Sequence, residues 1–219
     1  MKKPDARAIL LLALVLTAAA PVAFPEPPKT RAEALAGLAD RDTATRAEAV
    51  VWMANRGAMQ DAALLHERLR DESLLVRSYA EQGLWLLWTR SGDAGVDALM
   101  ARGADEMQAG RHAEAIATLS EVIRRKPEFA EGWNRRATVY YLAGDYRESI
   151  ADCDEVLKRN PAHFGALSGL GQIHVQLQEY EQALKWFRRA LEINPNMVGV
   201  EVNIRQVEEI LKQKRARST

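Results

Sequence analysis

A few short stretches hold residue types that could do chemistry. The segment "YLAGDY", Tyr141 to Tyr146, sets a Gly-Asp pair between two tyrosines inside helix-forming sequence. Such a pair would suit a phosphate-binding or catalytic loop, or a corner between helices. "LSGLG", Leu167 to Gly171, holds a serine among glycines. A serine nucleophile needs a nearby base and an exposed turn, and this one sits within helical sequence. Asp152 and Asp154 flank the lone cysteine, Cys153, but two residues apart on a helix they point to different faces. His66, His112, His163 and His174 lack the close spacing of a metal site and read as surface or packing residues. There is no Gly-rich phosphate loop between a strand and a helix, no Gly-x-Ser-x-Gly and no His-Glu-x-x-His. The expectation is therefore no catalytic residue, no metal site and no cofactor.

The elements that position these residues follow from periodicity. From Val96 the chain repeats every 34 residues, in phase with Pro127, Pro161 and Pro195. Small residues fall in columns: Gly103, Ala137 and Gly171, then Ala115, Ser149 and Ala183. Larger apolar positions alternate with them, as with Leu119, Cys153 and Phe187, or Val122, Val156 and Ala190. Apolar residues at three- and four-residue steps give two amphipathic helices per unit. Small residues let helix axes approach, and proline ends the second helix. A single pair cannot bury its apolar face, so the units must stack. In this frame Gly144 aligns with Gly110 as a helix stop, Asp145 is placed to cap the next helix, and Tyr146 packs the corner. Cys153 lies in a core column and reads as a buried, inert thiol.

"WNRRATVYYLAGDYRESIADCDEVLKRNP" and "LSGLGQIHVQLQEYEQALKWFRRALEINP" resemble tetratricopeptide (TPR) repeats, and "LMARGADEMQAGRHAEAIATLSEVIRRKP" is a third, weaker match. The resemblance implies three units, 96–129, 130–163 and 164–197, within a segment 93–197. It also implies a concave groove lined by the first helix of each unit. Carried across, the groove columns hold Asp97, Met100, Ala104 and Met107. The second unit gives Glu131, Asn134, Thr138 and Tyr141, and the third Gly165, Ser168, Gln172 and Val175. Asn, Gln and Thr suit a peptide backbone, while Met and Tyr offer adaptable apolar contact. The family's carboxylate clamp for chaperone tails needs Lys, Arg and Asn. Its columns here hold Met100, Ala104, Arg135, Gly165 and Gly169, so no clamp is expected. The sequence departs from the family where Arg102 and Arg136 replace leucine, and these must snorkel or pair. Gln178 stands at an expected turn glycine. Residues 198–219 read as a capping helix with a polar outer face and a short basic tail.

Upstream a looser repeat of 31 aligns Leu38 with Leu69, Asp40 with Asp71, Arg46 with Arg77 and Ala49 with Ala80. An Asp after one helix and an Arg early in the next resemble HEAT repeats, over 30–92; plain helical hairpins capping the stack are the alternative. In "LWLLW", Trp85 and Trp88 share a helix face, and packing against the first TPR helix around Leu99 is expected. The fold class is thus all-α: a right-handed α-solenoid of stacked hairpins, HEAT-like and then TPR.

Residues 1–23 have a basic start, an aliphatic run and small residues, the pattern of a secretory signal peptide. A membrane anchor that stays uncleaved competes with it. Residues 24–29 form a Pro-rich linker. Zero formal net charge gives no argument for nucleic-acid binding. The chain reads as an exported, periplasmic, non-enzymatic scaffold of the bacterial envelope, with a protein or peptide in the groove. A membrane enters only if the N-terminus is retained. A small-ligand or polysaccharide-binding protein using Trp and Tyr faces is the alternative.

Overall fold

The computed structural model describes residues 26–217; the signal-peptide segment and the first two residues of the linker lie outside the described residues. Every regular element among the described residues is helical. The N-terminal part has α1 (Arg31–Gly37), α2 (Thr43–Arg56), α3 (Ala62–Arg68) and α4 (Leu74–Trp88). The repeat units follow as α5 (Ala94–Gln108) with α6 (His112–Arg125), α7 (Ala130–Ala143) with α8 (Tyr146–Arg159), and α9 (Phe164–Gln176) with α10 (Tyr180–Ile193). Helix α11 (Val198–Arg217) closes the stack. The architecture is an all-α solenoid, as the periodicity requires.

The small columns do what their spacing implies. A Cβ at Gly103 would stand 2.9 Å from Leu119, and one at Gly171 would stand 2.4 Å from the Phe187 ring. Glycine lets the second helix lie directly on the first in the outer two units, while Ala137 holds that position in the middle one. Each corner inside a unit closes with the same two backbone bonds. Gly144 N–H donates to Tyr141 O and Asp145 N–H to Tyr140 O, at 3.1 and 2.9 Å. The pairs at Gly110 and Arg111, and at Gln178 and Glu179, repeat that pattern. This stop needs a left-handed residue. Gly110 and Gly144 have φ of 70° and 87°, and Gln178 takes φ 60° without the benefit of being glycine. Asp145 is the N-cap of α8 by position only, because its side chain accepts no bond there. Its expected capping role is therefore corrected: the αL corner already directs the chain.

Both unusual arginines pair. Arg102 meets Glu106 at 2.7 Å, and Arg136 grips Asp152 through two bonds of 2.7 and 2.8 Å. In the N-terminal part, Arg46 holds the Asp71 carboxylate through two 2.9 Å bonds and donates to the carbonyls of Asp40 and Arg41. Arg77 donates to the carbonyls of Asp71 and Glu72, the same offsets one repeat later. The Asp and Arg columns thus tie each helix start to the turn before it.

Trp85 and Trp88 do not pack around Leu99. They meet the start of α9 instead: Trp88 stacks on His163 at 4.4 Å, and Trp85 meets Phe164 edge-on at 5.4 Å. Gly92, at φ 76°, turns the chain between α4 and α5. The N-terminal helices then lie across the corners that join successive units. Asn196 donates to Leu69 O at 2.8 Å, Arg70 to the Glu192 carbonyl, and Lys126 to Ser91 O at 2.6 Å. Ile193 and Met197 join the N-terminal core. Sequence adjacency suggested α5 as the partner; the tryptophans instead pack their rings on His163 and Phe164.

Candidate binding groove

Helices α7 and α9 put their polar columns side by side, with α8 behind. Asn134, Thr138, Tyr141, Ser168 and Gln172 line one recess of about 180 Å³, floored by Ala137, Cys153 and Ile173. These are five of the groove residues expected from the sequence, with Gly165 at one end. Thr138 and Ser168 return their hydroxyl protons to helix carbonyls, of Asn134 and Gly165, at 3.0 Å each. The Tyr141 hydroxyl accepts from Gln176 at 3.4 Å, and its ring packs on Tyr146 at 5.8 Å. No residue lining the recess is charged.

The other expected residues go elsewhere. Glu131 is a correction: it is 1% exposed, and its carboxylate accepts from Arg135 at 2.8 Å and Asn134 at 3.0 Å. It also meets His163 Nε2 at 3.3 Å. The resemblance to tetratricopeptide repeats places Glu131 in the groove column, but it is buried against His163, at the corner before α9. Gly165, at the start of α9, leaves room for the Trp85 ring, which a Cβ there would approach to 2.4 Å. Met100 and Met107 are half-buried against the Val96–Leu119 core, and Val175 packs toward Phe187 and Val207 under α11. Ala104 is half-buried on α5, and Asp97 is exposed there with its carboxylate bound by the Ser91 hydroxyl.

Nothing in the recess is arranged for catalysis. Burial, reinforced by Asp152 and Asp154, pushes the Cys153 thiol up to about 12, so it stays protonated at neutral pH. Ser149 donates to Ala137 O at 2.7 Å and has no base. Among the described residues no three His, Cys, Asp or Glu side chains cluster as a metal site. His163 is fully buried, with Nδ1 accepting from Ala166 N–H at 3.0 Å. The sequence reading missed His163 as the contact between Glu131 and Trp88. The signal available was Gly165, a small residue at a helix start that leaves room for a ring. All five tryptophans are buried or half-buried, so none forms an exposed aromatic platform.

A profile of the tetratricopeptide repeat matches residues 100–157 and 137–198. A TPR repeat-containing protein of Rhizobium etli is 39% identical over 57 residues, covering 26% of this chain and 28% of that protein. The chain therefore spans little more than a quarter of that relative. The TPR domain of Sgt2 from Aspergillus fumigatus aligns with TM-score 0.54 at 17% identity, over 57% of this chain and 83% of that one. The first TPR of Spaghetti (RPAP3), bound to an HSP90 peptide, aligns with TM-score 0.52 at 24% identity, over 53% and 93%. The TPR2B domain of yeast Sti1, in a pHsp70 complex, gives 0.51 at 20% identity, over 53% and 98%. These likenesses carry the fold. With the period, the αL corners and the small columns, they make residues 100–198 similar to tetratricopeptide repeats.

Proposed function

We propose that this protein is a non-enzymatic interaction module that holds a peptide or helix of a partner protein in the recess of α7 and α9. The observation that carries this reading is the gathering of Asn134, Thr138, Tyr141, Ser168 and Gln172 on one uncharged concave surface. Side-chain amides and hydroxyls of this kind pair with backbone amides, and the tyrosine ring supplies apolar contact. The first TPR of Spaghetti is known with an HSP90 peptide and the TPR2B domain of Sti1 in a pHsp70 complex, which supports a protein segment as the occupant. An acidic chaperone tail fits poorly here: the one cation in the clamp columns, Arg135, is already paired with Glu131 at 2.8 Å. A neutral segment suits the recess.

The basic and aliphatic start of residues 1–23 supports export to the bacterial periplasm, or anchoring if the segment is retained. N-terminal sequencing of the native protein distinguishes the two. The repeated Arg46 and Arg77 geometry supports a HEAT-like reading of residues 30–92. The groove is tested by pull-down from envelope extracts with wild type and an Asn134→Ala/Tyr141→Ala double variant. The variant should stay folded and lose partners that the wild type recovers. Identical recovery by both proteins would overturn the groove assignment.

A further inference from the structure

A second cavity, of about 290 Å³, lies away from the groove, between the N-terminal helices and the corners that precede α7 and α9. That volume is near the small end of ligand pockets, which span roughly 300–1,000 Å³. Met59, Leu87 and Phe129 give it apolar walls. Two residues that line it hold buried donors without a partner among the described residues: Trp88 Nε1 and Asn160 Nδ2. Trp88 is 4% exposed and Asn160 7%. Buried polar groups without a partner are rare in folded proteins and require an explanation. The Asn160 amide is oriented by its own turn, where Oδ1 accepts from Ala162 N–H at 3.2 Å. Asn194, one repeat on, also leaves Nδ2 without a partner, so the corner alone accounts for that much. What distinguishes Asn160 is the cavity and the Trp88 indole that lines it too.

The charge around the cavity has one sign in excess. Arg90, Lys126 and Arg159 line it against a single carboxylate, Glu128. Arg159 is paired with Glu155, and Lys126 lies 4.0 Å from Glu128. Arg90 donates to the carbonyls of Gly57 at 2.7 Å and Ala54 at 2.9 Å, which satisfies its hydrogens but leaves its charge unbalanced. A ligand that presents oxygen acceptors and negative charge complements these groups. An ammonium would set donor against donor, and a neutral amide would leave Arg90 uncompensated.

We propose that this cleft binds a carboxylate carried on a small apolar group, with the oxygens on Trp88 Nε1 and Asn160 Nδ2 and the apolar part against Met59, Leu87 and Phe129. A free carboxylic acid and the C-terminus of a peptide ending in an apolar residue present the same chemistry. The site bridges the two halves of the molecule, so its occupant stabilises their contact.

The test follows the indole N–H resonances of the full-length protein in ¹H–¹⁵N spectra. Hexanoate is titrated in one arm, and a short peptide ending in a free leucine in the other. Hexanamide and the C-terminally amidated peptide serve as controls. The Trp88 resonance, assigned by its loss in Trp88→Phe, should shift with at least one acid and not with its amide. A shift with hexanoate assigns free acids, and one with the peptide acid alone assigns a chain terminus. Asn160→Asp keeps the turn acceptor while replacing the donor with a negative charge. It should weaken binding about tenfold or more, the scale of one hydrogen bond to a charged group. The wild-type comparison of acid with amide stands even if a variant fails to fold. A Trp88 resonance unmoved by both acids up to about 10 mM, or moved equally by the amides, overturns the proposal.

Discussion

Two ends of one concave face have opposite fates. Near the start of α9, His163 and Gly165 lie against Trp88 and Trp85, and Glu131 is buried against His163. A turn or two further along α7 and α9, Thr138, Tyr141, Ser168 and Gln172 remain accessible in the recess. Glu131 and Gly165 belong to the same set of groove columns as these four. The difference teaches that a repeat fixes which way a side chain points, while what lies beyond it is set by another part of the chain.

The largest test of this contrast removes the cover. Trp88→Ala should cost about 3–5 kcal/mol, as for large aromatic truncations in cores, read by urea unfolding. The same substitution at Tyr141, half-buried in the open part, should cost much less. A comparable cost at both positions would erase the distinction. Arg46→Ala should also cost about 3–5 kcal/mol, because it leaves Asp71 buried without its partner. Burial works to raise the Asp71 pKa, but bonds from Arg46 and Ser73 N–H outweigh it and hold the carboxyl below its ordinary value. That contribution is complete above about pH 4, the unfolded value, and is lost as pH falls through the lowered folded value. Acid unfolding curves of wild type and Arg46→Ala should therefore converge at low pH; a constant gap would count against the linkage.

Glycines on α9 sharpen the comparison at smaller scale. Gly165→Ala should destabilise by about 1–3 kcal/mol, since its methyl would meet the Trp85 ring. Gly169→Ala, with nothing nearer than Cys153 Sγ at 4.0 Å, should instead gain up to about 1 kcal/mol from helix propensity. Opposite signs in thermal unfolding support the covered and open ends; equal effects would refute them. At the corners, Gly144→Val should cost about 1 kcal/mol or more, because a β-branched residue resists positive φ. The smallest effect is Gln178→Gly, expected to gain roughly 0.5 kcal/mol by relieving the left-handed residue. A loss there would show that the Gln178 side chain makes a stabilising contact.

Part of the recess was legible in the sequence. The resemblance to tetratricopeptide repeats placed Asn134, Thr138, Tyr141, Ser168 and Gln172 on one face, and the structure lines one recess with them, because equivalent positions on parallel first helices face the same way. The period marked Gly144 as a corner rather than a loop for chemistry. Two readings failed for a shared reason. Glu131 was placed by its column and Trp85 and Trp88 by sequence neighbourhood, and each omits a contact between residues far apart in the chain. The spacing between Trp88 and His163 has no periodic relation that would betray it.

By itself the sequence determined the helical units, their corners and the direction of each side chain, since these depend on local steric and hydrogen-bonding rules repeated every 34 residues. Only the tertiary structure decided which part of the concave face stays open and where a second cavity forms. Those depend on how the N-terminal helices fold back on the corners, a long-range packing choice made by aromatic burial at His163 and Phe164.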